Sequence, residues 1–87
     1  MSYRIRWSSA ARRAIENTLP EAIATAVWEF ANGALAENPQ RVAERLAREL
    51  AGYWSARRGQ YRVIYMINDD EIVVTVIAVD HRRDVYR

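Results

Sequence analysis

The sequence predicts an α+β domain in which an N-terminal strand is followed by two helices and then by a three-strand antiparallel meander, all in one curved sheet. Three observations predict this order. Residues 3–7 alternate apolar and charged side chains, residues 10–35 place apolar side chains at helical spacing, and residues 53–79 contain apolar runs separated by turn signals. With 87 residues, 51% of them hydrophobic, the chain is expected to form a single domain, 1–87.

The two predicted helices have ordinary start and stop signals. Ser8 or Ser9 is expected to cap the first helix, which runs from about Ala10 to Leu19. Pro20 ends that helix or opens the second one, and Asn38-Pro39 closes the second. Residues 40–50 are ambiguous, because apolar side chains recur there every four residues and favour a helix by propensity alone.

A tight turn at Gly59-Gln60 fixes the register of the first hairpin in the meander. Glycine in the first position is typical of a type II′ turn, which pairs Arg58 with Tyr61 and Arg57 with Arg62. Arg57 and Arg62 then lie on the face away from the helices. Because like charges directly opposite each other are unfavourable, this pair predicts an anion nearby.

The end of the meander is expected to bring further polar side chains to the same place. In an antiparallel pair the last strand ends beside the start of the strand before it. His81 and Arg82 should therefore emerge next to Arg62, and Tyr86 can fold back to join them and Arg57. A longer first loop or a bulge would break this convergence.

Composition narrows the possible chemistry. All 13 basic residues are arginine, so lysine cannot act as a base, although biased codon usage explains the arginine excess equally well. Arginine grips phosphate through a planar fork. There is no cysteine and only one histidine, so we expect no metal site and no cofactor. No signal-like start or long apolar run is present, which predicts a cytoplasmic protein without membrane contact.

Such a site suits cleavage of RNA by its own 2′-hydroxyl, a nucleophile that DNA lacks. The reaction needs removal of the 2′ proton, stabilisation of charge at phosphorus, and a proton for the departing 5′-oxygen. His81 could serve either proton role, and Tyr86 could stack on a base or join the proton relay. Arg57, Arg58 and Arg83 are predicted to hold the RNA backbone.

Plainer interpretations remain open for each of these residues. His81 could be an exposed histidine at a strand end without a role, and Tyr86 could simply pack. Arg62 could form a surface ion pair, for which Asp80, Asp84 and Glu71 are the candidate partners. The acidic run 69–71 lies in a predicted turn, where such residues are common, and is not expected to bind metal.

The chain resembles RelE-family toxins of type II toxin–antitoxin systems, in the RelE/ParE superfamily, and is most similar in appearance to mycobacterial RelE-like toxins. The resemblance covers nearly the whole chain. It rests on residues 3–7, 46–52, 57–65 and 80–86, of which the last two segments are the most specific. It implies a sheet curled over two helices and cleavage of mRNA in the ribosomal A site, leaving a 2′,3′-cyclic phosphate and a 5′-hydroxyl.

The resemblance also implies roles for individual residues. Arg62 matches the strand arginine that stabilises the transition state, and Arg82 and Tyr86 match the C-terminal arginine and tyrosine of RelE. His81 is similar to the C-terminal histidine of YoeB-like toxins, and Glu44 to their catalytic glutamate. The general base is left open between His81 and Glu44. Residues 40–50 would form a loop into the next strand.

The partners that the resemblance implies are a RelB-like antitoxin, which silences the toxin in a hetero-oligomer, and the ribosome with its mRNA. The toxin alone is expected to be monomeric. One rival hypothesis keeps the fold without the chemistry: a ParE-like toxin that inhibits DNA gyrase and cleaves nothing. Another is an inactive module whose arginines only hold the RNA backbone.

Overall fold

The computed structural model describes residues 2–45 and 52–81, and it contains one mixed sheet with two helical segments. The strand order is β1-β5-β4-β3-β2, with β1 parallel to β5 and all other neighbours antiparallel. The strands are β1 (Arg4–Trp7), β2 (Glu44–Arg45), β3 (Tyr53–Arg58), β4 (Tyr61–Asn68) and β5 (Val73–His81); the helices are α1 (Ser9–Arg13) and α2 (Glu21–Phe30), extended by the π-helical turns Ala14–Thr18 and Ala31–Leu35.

This architecture confirms the predicted fold: an N-terminal strand, two helices and a three-strand antiparallel meander. The two-residue strand β2 is an addition, and it pairs with β3 at the outer edge of the sheet. Propensity alone favours a helix over residues 40–50. This prediction is wrong for residues 40–45, where a turn leads into β2. Residues 46–50 lie outside the described ranges.

Both helical segments pack on one face of the sheet. Tyr65 and Leu35 are the largest of the fully buried side chains, and they join the sheet to the second helix. None of the helices within residues 2–45 and 52–81 is long and apolar enough to cross a bilayer. Among the described residues, the buried core cluster consists of Ala11, Val27, Ala31, Leu35, Ala56, Tyr61, Val63, Tyr65, Val74 and Val76.

Ser8 connects the start of α1 to the far strand of the meander. Its hydroxyl accepts a hydrogen bond from Ala11 N at 3.0 Å, which makes Ser8 the cap of the helix. The same hydroxyl donates to the carbonyl oxygen of Ile77 at 2.7 Å, and the Ser8 amide donates to Val76 O at 2.9 Å. One residue therefore stabilises both the helix and the middle of β5.

Replacing Ser8 by alanine should lower the free energy of unfolding by about 1 to 2 kcal/mol, because the helix loses its cap and a part-buried carbonyl loses its donor. Urea unfolding of the variant measures this loss. Ser9→Ala is the matched control, since Ser9 is exposed and lies in the first turn, where alanine is a good helix former. Equal stability of the Ser8 and Ser9 variants would contradict the double role of Ser8.

Candidate functional site

The hairpin between β3 and β4 has the predicted register. Arg58 pairs with Tyr61, and Arg57 pairs with Arg62. Gly59 has a φ of 54°, and Ile72 is the one non-glycine residue with positive φ in the part of the chain that the structure describes. Gln60 therefore has a negative φ, which fits a type II′ turn and excludes type I′. The turn and the register are both confirmed.

The pairing of β4 with β5 contains a bulge that the sequence did not reveal. Ile64 pairs with Ala78 while Tyr65 pairs with Val76, so Ile77 is an extra residue on β5. Because neighbouring side chains in a strand point to opposite faces, one extra residue moves all later side chains to the other face. The side chains of residues 78–81 therefore lie on the faces opposite to those that unbroken alternation from Val76 would give.

His81 lies on the helix-covered face as a result of the bulge. It pairs with Tyr61, whose ring packs edge-on against Phe30 of α2 with centroids 6.3 Å apart, and His81 itself is 9% exposed. Its Nε2 atom is buried and has no hydrogen-bond partner among the described residues. The expectation that His81 and Arg62 share one face is wrong, and so is the alternative of an exposed histidine.

Arg58 also lies away from the Arg57–Arg62 pair. Its guanidinium carbon is 4.8 Å from the ring centroid of Phe30, a cation–π arrangement on the helix-covered side. The guanidinium donates to the carbonyl oxygen of Arg57 at 3.1 Å. Strand alternation separates the side chains of Arg58 and Arg57, and the role of Arg58 in holding RNA stays a prediction.

Arg57 and Arg62 line an open groove on the uncovered face of the sheet. The groove has a volume of about 500 Å³. Arg57 is exposed and Arg62 is half-buried, and Asp80 on β5 is the other cross-strand neighbour of Arg62. The groove-lining residues are Arg41, Val42, Ala43, Ser55, Arg57 and Arg62.

The guanidinium groups of the groove make no hydrogen bond within the described part of the chain. Within residues 2–45 and 52–81, no described hydrogen bond engages the guanidinium of Arg41, Arg57 or Arg62. Two of these cations are directly opposed on neighbouring strands, which is unfavourable without an anion between them. The groove is therefore suited to a phosphate or another oxyanion.

Arg41 is the groove residue that the sequence analysis missed. It lies in the turn before β2, where its amide donates to Asn38 O at 3.1 Å. Helical periodicity favours a helix in that segment, whereas the Asn38-Pro39 turn signal and the loop that the family resemblance implies both indicate that the chain changes direction there. The fold brings this turn next to the Arg57–Arg62 pair.

A buried tyrosine holds that turn in place. The hydroxyl of Tyr65 donates to the carbonyl oxygen of Pro39 at 2.6 Å, and both residues are fully buried. Burial raises the pKa of Tyr65 far above its ordinary value, so the hydroxyl keeps its proton and remains a donor. Gln40 also donates to Asp69 at 3.2 Å. The backbone beneath Arg41 is therefore fixed from two sides.

The remaining predicted site residues are Glu44, Arg82, Arg83 and Tyr86. Glu44 pairs with Ser55 in the backbone register of β2 and β3, so its backbone lies beside the groove. Arg82, Arg83 and Tyr86 lie outside the described residues. Their predicted roles remain expectations.

Comparisons with known proteins agree with this fold over nearly the whole chain. The sequence model of one family, described as the ParE toxin of type II toxin–antitoxin systems, matches residues 3–86. The chain is similar to Toxin RelG of Mycobacterium tuberculosis, with 49% identity over 87 residues covering 100% of this chain and 99% of the relative. It is also similar to Toxin RelE of that organism, with 41% identity over 85 residues covering 98% and 87%.

A solved structure is similar at the level of the backbone. The crystal structure of the toxin–antitoxin complex RelBE2 from Mycobacterium tuberculosis contains a chain that matches with a TM-score of 0.91 and 48% identity. The match covers 94% of this chain and 100% of that one. The similarity therefore extends over both the sheet and the helices.

Proposed function

This chain belongs to the ParE toxin family of type II toxin–antitoxin systems and is a RelE-like toxin, and from that membership we propose that it is an endoribonuclease, an mRNA interferase. It would cleave mRNA in the ribosomal A site and thereby inhibit translation. The observation that carries the proposal is the open groove in which Arg57 and Arg62 face each other and in which no described hydrogen bond engages either guanidinium.

The chemistry needs only the RNA and the side chains around the groove. A base removes the proton from the 2′-oxygen, the 2′-oxygen forms a bond to phosphorus, and the bond from phosphorus to the 5′-oxygen breaks. The products are a 2′,3′-cyclic phosphate and a 5′-hydroxyl. Arg62 and Arg57 stabilise the extra negative charge that develops on the phosphorane oxygens. This step involves no metal ion.

The geometry favours Glu44 over His81 as the general base. The backbone of Glu44 lies directly opposite Ser55, a groove residue, whereas the side chain of His81 lies on the helix-covered face. A carboxylate can take the 2′ proton when it lies within hydrogen-bond reach of it. On the strength of the family resemblance alone, Tyr86 is proposed to give a proton to the leaving 5′-oxygen and Arg82 to stabilise the charge on that oxygen.

The test of this function uses programmed ribosomes and two mRNAs. One carries ribose throughout, and the other carries a single 2′-deoxy nucleotide at the A-site codon. The toxin should cleave the first mRNA and leave the second intact at the modified step, because the substituted nucleotide lacks the nucleophile. Primer extension locates the cut. Cleavage that survives the deoxy substitution would exclude the proposed mechanism.

The proposed partner outside the ribosome is a RelB-like antitoxin, because a similar solved chain comes from a toxin–antitoxin complex. We propose that the toxin alone is monomeric and that the antitoxin silences it in a hetero-oligomer. Acidic or apolar helical segments would suit the cationic groove. If Arg57 and Arg62 stay open in that complex, inhibition must come from blocked entry to the ribosome.

A second candidate function is inhibition of DNA gyrase without nuclease activity, and the description of the matched family as ParE toxins favours it. A supercoiling assay with purified gyrase separates the two functions. Inhibition of gyrase together with intact mRNA on programmed ribosomes would favour the second function. The groove then has no scissile phosphate to bind, and Arg62 becomes dispensable for toxicity.

A further inference from the structure

We propose that Arg41 binds the phosphate next to the scissile one, so that the groove holds RNA by two successive phosphates; this inference rests on the proposed function and deepens it. Arg41, Arg57 and Arg62 line one groove but come from different parts of the fold. Arg57 and Arg62 lie on β3 and β4, whereas Arg41 lies in the turn before β2. Arg41 therefore enters the groove from a different element than the Arg57–Arg62 pair.

The strand order sets the distances across the groove. Strand β4, which carries Arg62, lies two strand spacings from β2, about 10 Å in total, and β3, which carries Arg57, lies one spacing from β2. A guanidinium contacts a phosphate oxygen at about 2.7 to 2.9 Å and uses both prongs of its fork on the same group. The Arg57–Arg62 pair is enough to engage both free oxygens of one phosphodiester. Arg41 is then left for the next phosphate along the strand.

The size and lining of the groove agree with a ligand larger than one phosphate. Its volume of about 500 Å³ falls within the ~300 to 1,000 Å³ that is usual for small-molecule sites. Val42 and Ala43 provide apolar surface next to Arg41 in the chain, and Ser55 provides a hydroxyl in the groove. An apolar patch followed by a cation suits the ribose or base between two phosphates.

The position of Arg41 is prepared before any ligand binds. Pro39 is fully buried and accepts the hydrogen bond from Tyr65, and Gln40 is held by Asp69. Arg41 is exposed and does not belong to the buried core or pack against it, so its substitution removes no core contact. A side chain on a fixed turn loses less conformational freedom on binding than one on a loose loop. Arg41 is therefore positioned to bind a ligand and can be tested without unfolding the chain.

The experiment compares two RNA probes that cannot be cleaved because every 2′-oxygen is methylated. One is a dinucleoside monophosphate with a single phosphodiester, and the other is a trinucleoside diphosphate with two. The wild-type chain should bind the longer probe at least fivefold more tightly at low salt, as measured by calorimetric or NMR titration. Arg41→Ala should bind the shorter probe as the wild type does and lose the gain from the second phosphate.

Salt dependence provides an independent readout. The slope of log K against log salt for the longer probe should become shallower in Arg41→Ala, because one phosphate contact is lost. Arg13→Ala is the matched control, because Arg13 is an exposed arginine on α1 outside the groove, and it should keep the wild-type slope. Arg41→Lys should retain part of the gain, since lysine keeps the charge without the fork.

The outcomes separate this inference from the proposed function. If the wild-type chain gains nothing from the second phosphate, or if Arg41→Ala keeps the full gain, the Arg41 site is overturned even when mRNA is cleaved on ribosomes. If the gain depends on Arg41 in a chain that cleaves no mRNA on ribosomes, the phosphate site stands and the proposed function fails.

Discussion

Arg62→Ala should lower the rate of mRNA cleavage on programmed ribosomes by about 100- to 1,000-fold while leaving the fold intact. Loss of one well-placed donor to a developing oxyanion costs about 3 to 4 kcal/mol of transition-state stabilisation. Arg62 is half-buried on the uncovered face and takes no part in the core, so the variant should keep the melting temperature of the wild type. Single-turnover cleavage with saturating toxin measures the chemical step separately from binding.

Two further variants identify which property of Arg62 is needed. Arg62→Lys should recover only a small part of the rate, because an ammonium is a point charge that cannot engage two oxygens in one plane. Arg13→Ala removes an equal charge from α1 and should leave the rate unchanged. An Arg62→Ala chain that cleaves at the wild-type rate would remove Arg62 from the site. The groove would then bind RNA without stabilising its transition state.

The part of the site that depends on local turn chemistry was predictable from the sequence. Glycine at position 59 accepts positive φ without strain, and a two-residue turn permits one register. The pairing of Arg57 with Arg62 follows from counting residues outward from the turn, and the structure confirms this pairing. Strands β3 and β4 could be predicted for the same reason, since their alternation and their turn agree.

The part that depends on the β4–β5 pairing could not be predicted, because a single extra residue decides it. Without Ile77 as an extra residue, alternation from Val76 onward would place His81 on the same face as Arg62. The bulge is held by the hydroxyl of Ser8, a contact between residues 69 positions apart. Local patterns in the sequence do not report such a contact. Arg41 was missed for a similar reason, because its place in the groove depends on the distant Tyr65.

The bulge changes what is expected of His81. A histidine on the open face would be a candidate for proton transfer, and its removal should stop catalysis. The observed histidine is buried beside Tyr61, and its Nε2 has no partner among the described residues. A buried polar atom without a partner costs about 1 to 3 kcal/mol. His81 is thus expected to affect stability more than cleavage.

His81→Leu should therefore unfold at the same or a higher urea concentration than the wild type, because leucine fills a similar volume without an unpaired polar atom. His81→Ala should lose about 2 kcal/mol or more, since it leaves a cavity at the end of β5. Both variants, at temperatures where they are fully folded, should cleave mRNA within about threefold of the wild-type rate. Urea unfolding and single-turnover cleavage on the same preparations measure the two effects separately.

The His81→Leu variant separates a role of His81 in stability from a role in RNA cleavage, because it keeps the packing and removes the imidazole. If His81→Leu is stable but cleaves at least tenfold more slowly, the imidazole must reach the RNA, which requires β5 to pair without its bulge in the complex. Met66→Leu provides the matched control, because Met66 is exposed on the opposite face of the sheet and should change neither quantity. A wild-type rate in His81→Leu leaves Glu44 as the candidate base beside Ser55, and Glu44→Gln is then the variant expected to stop the reaction.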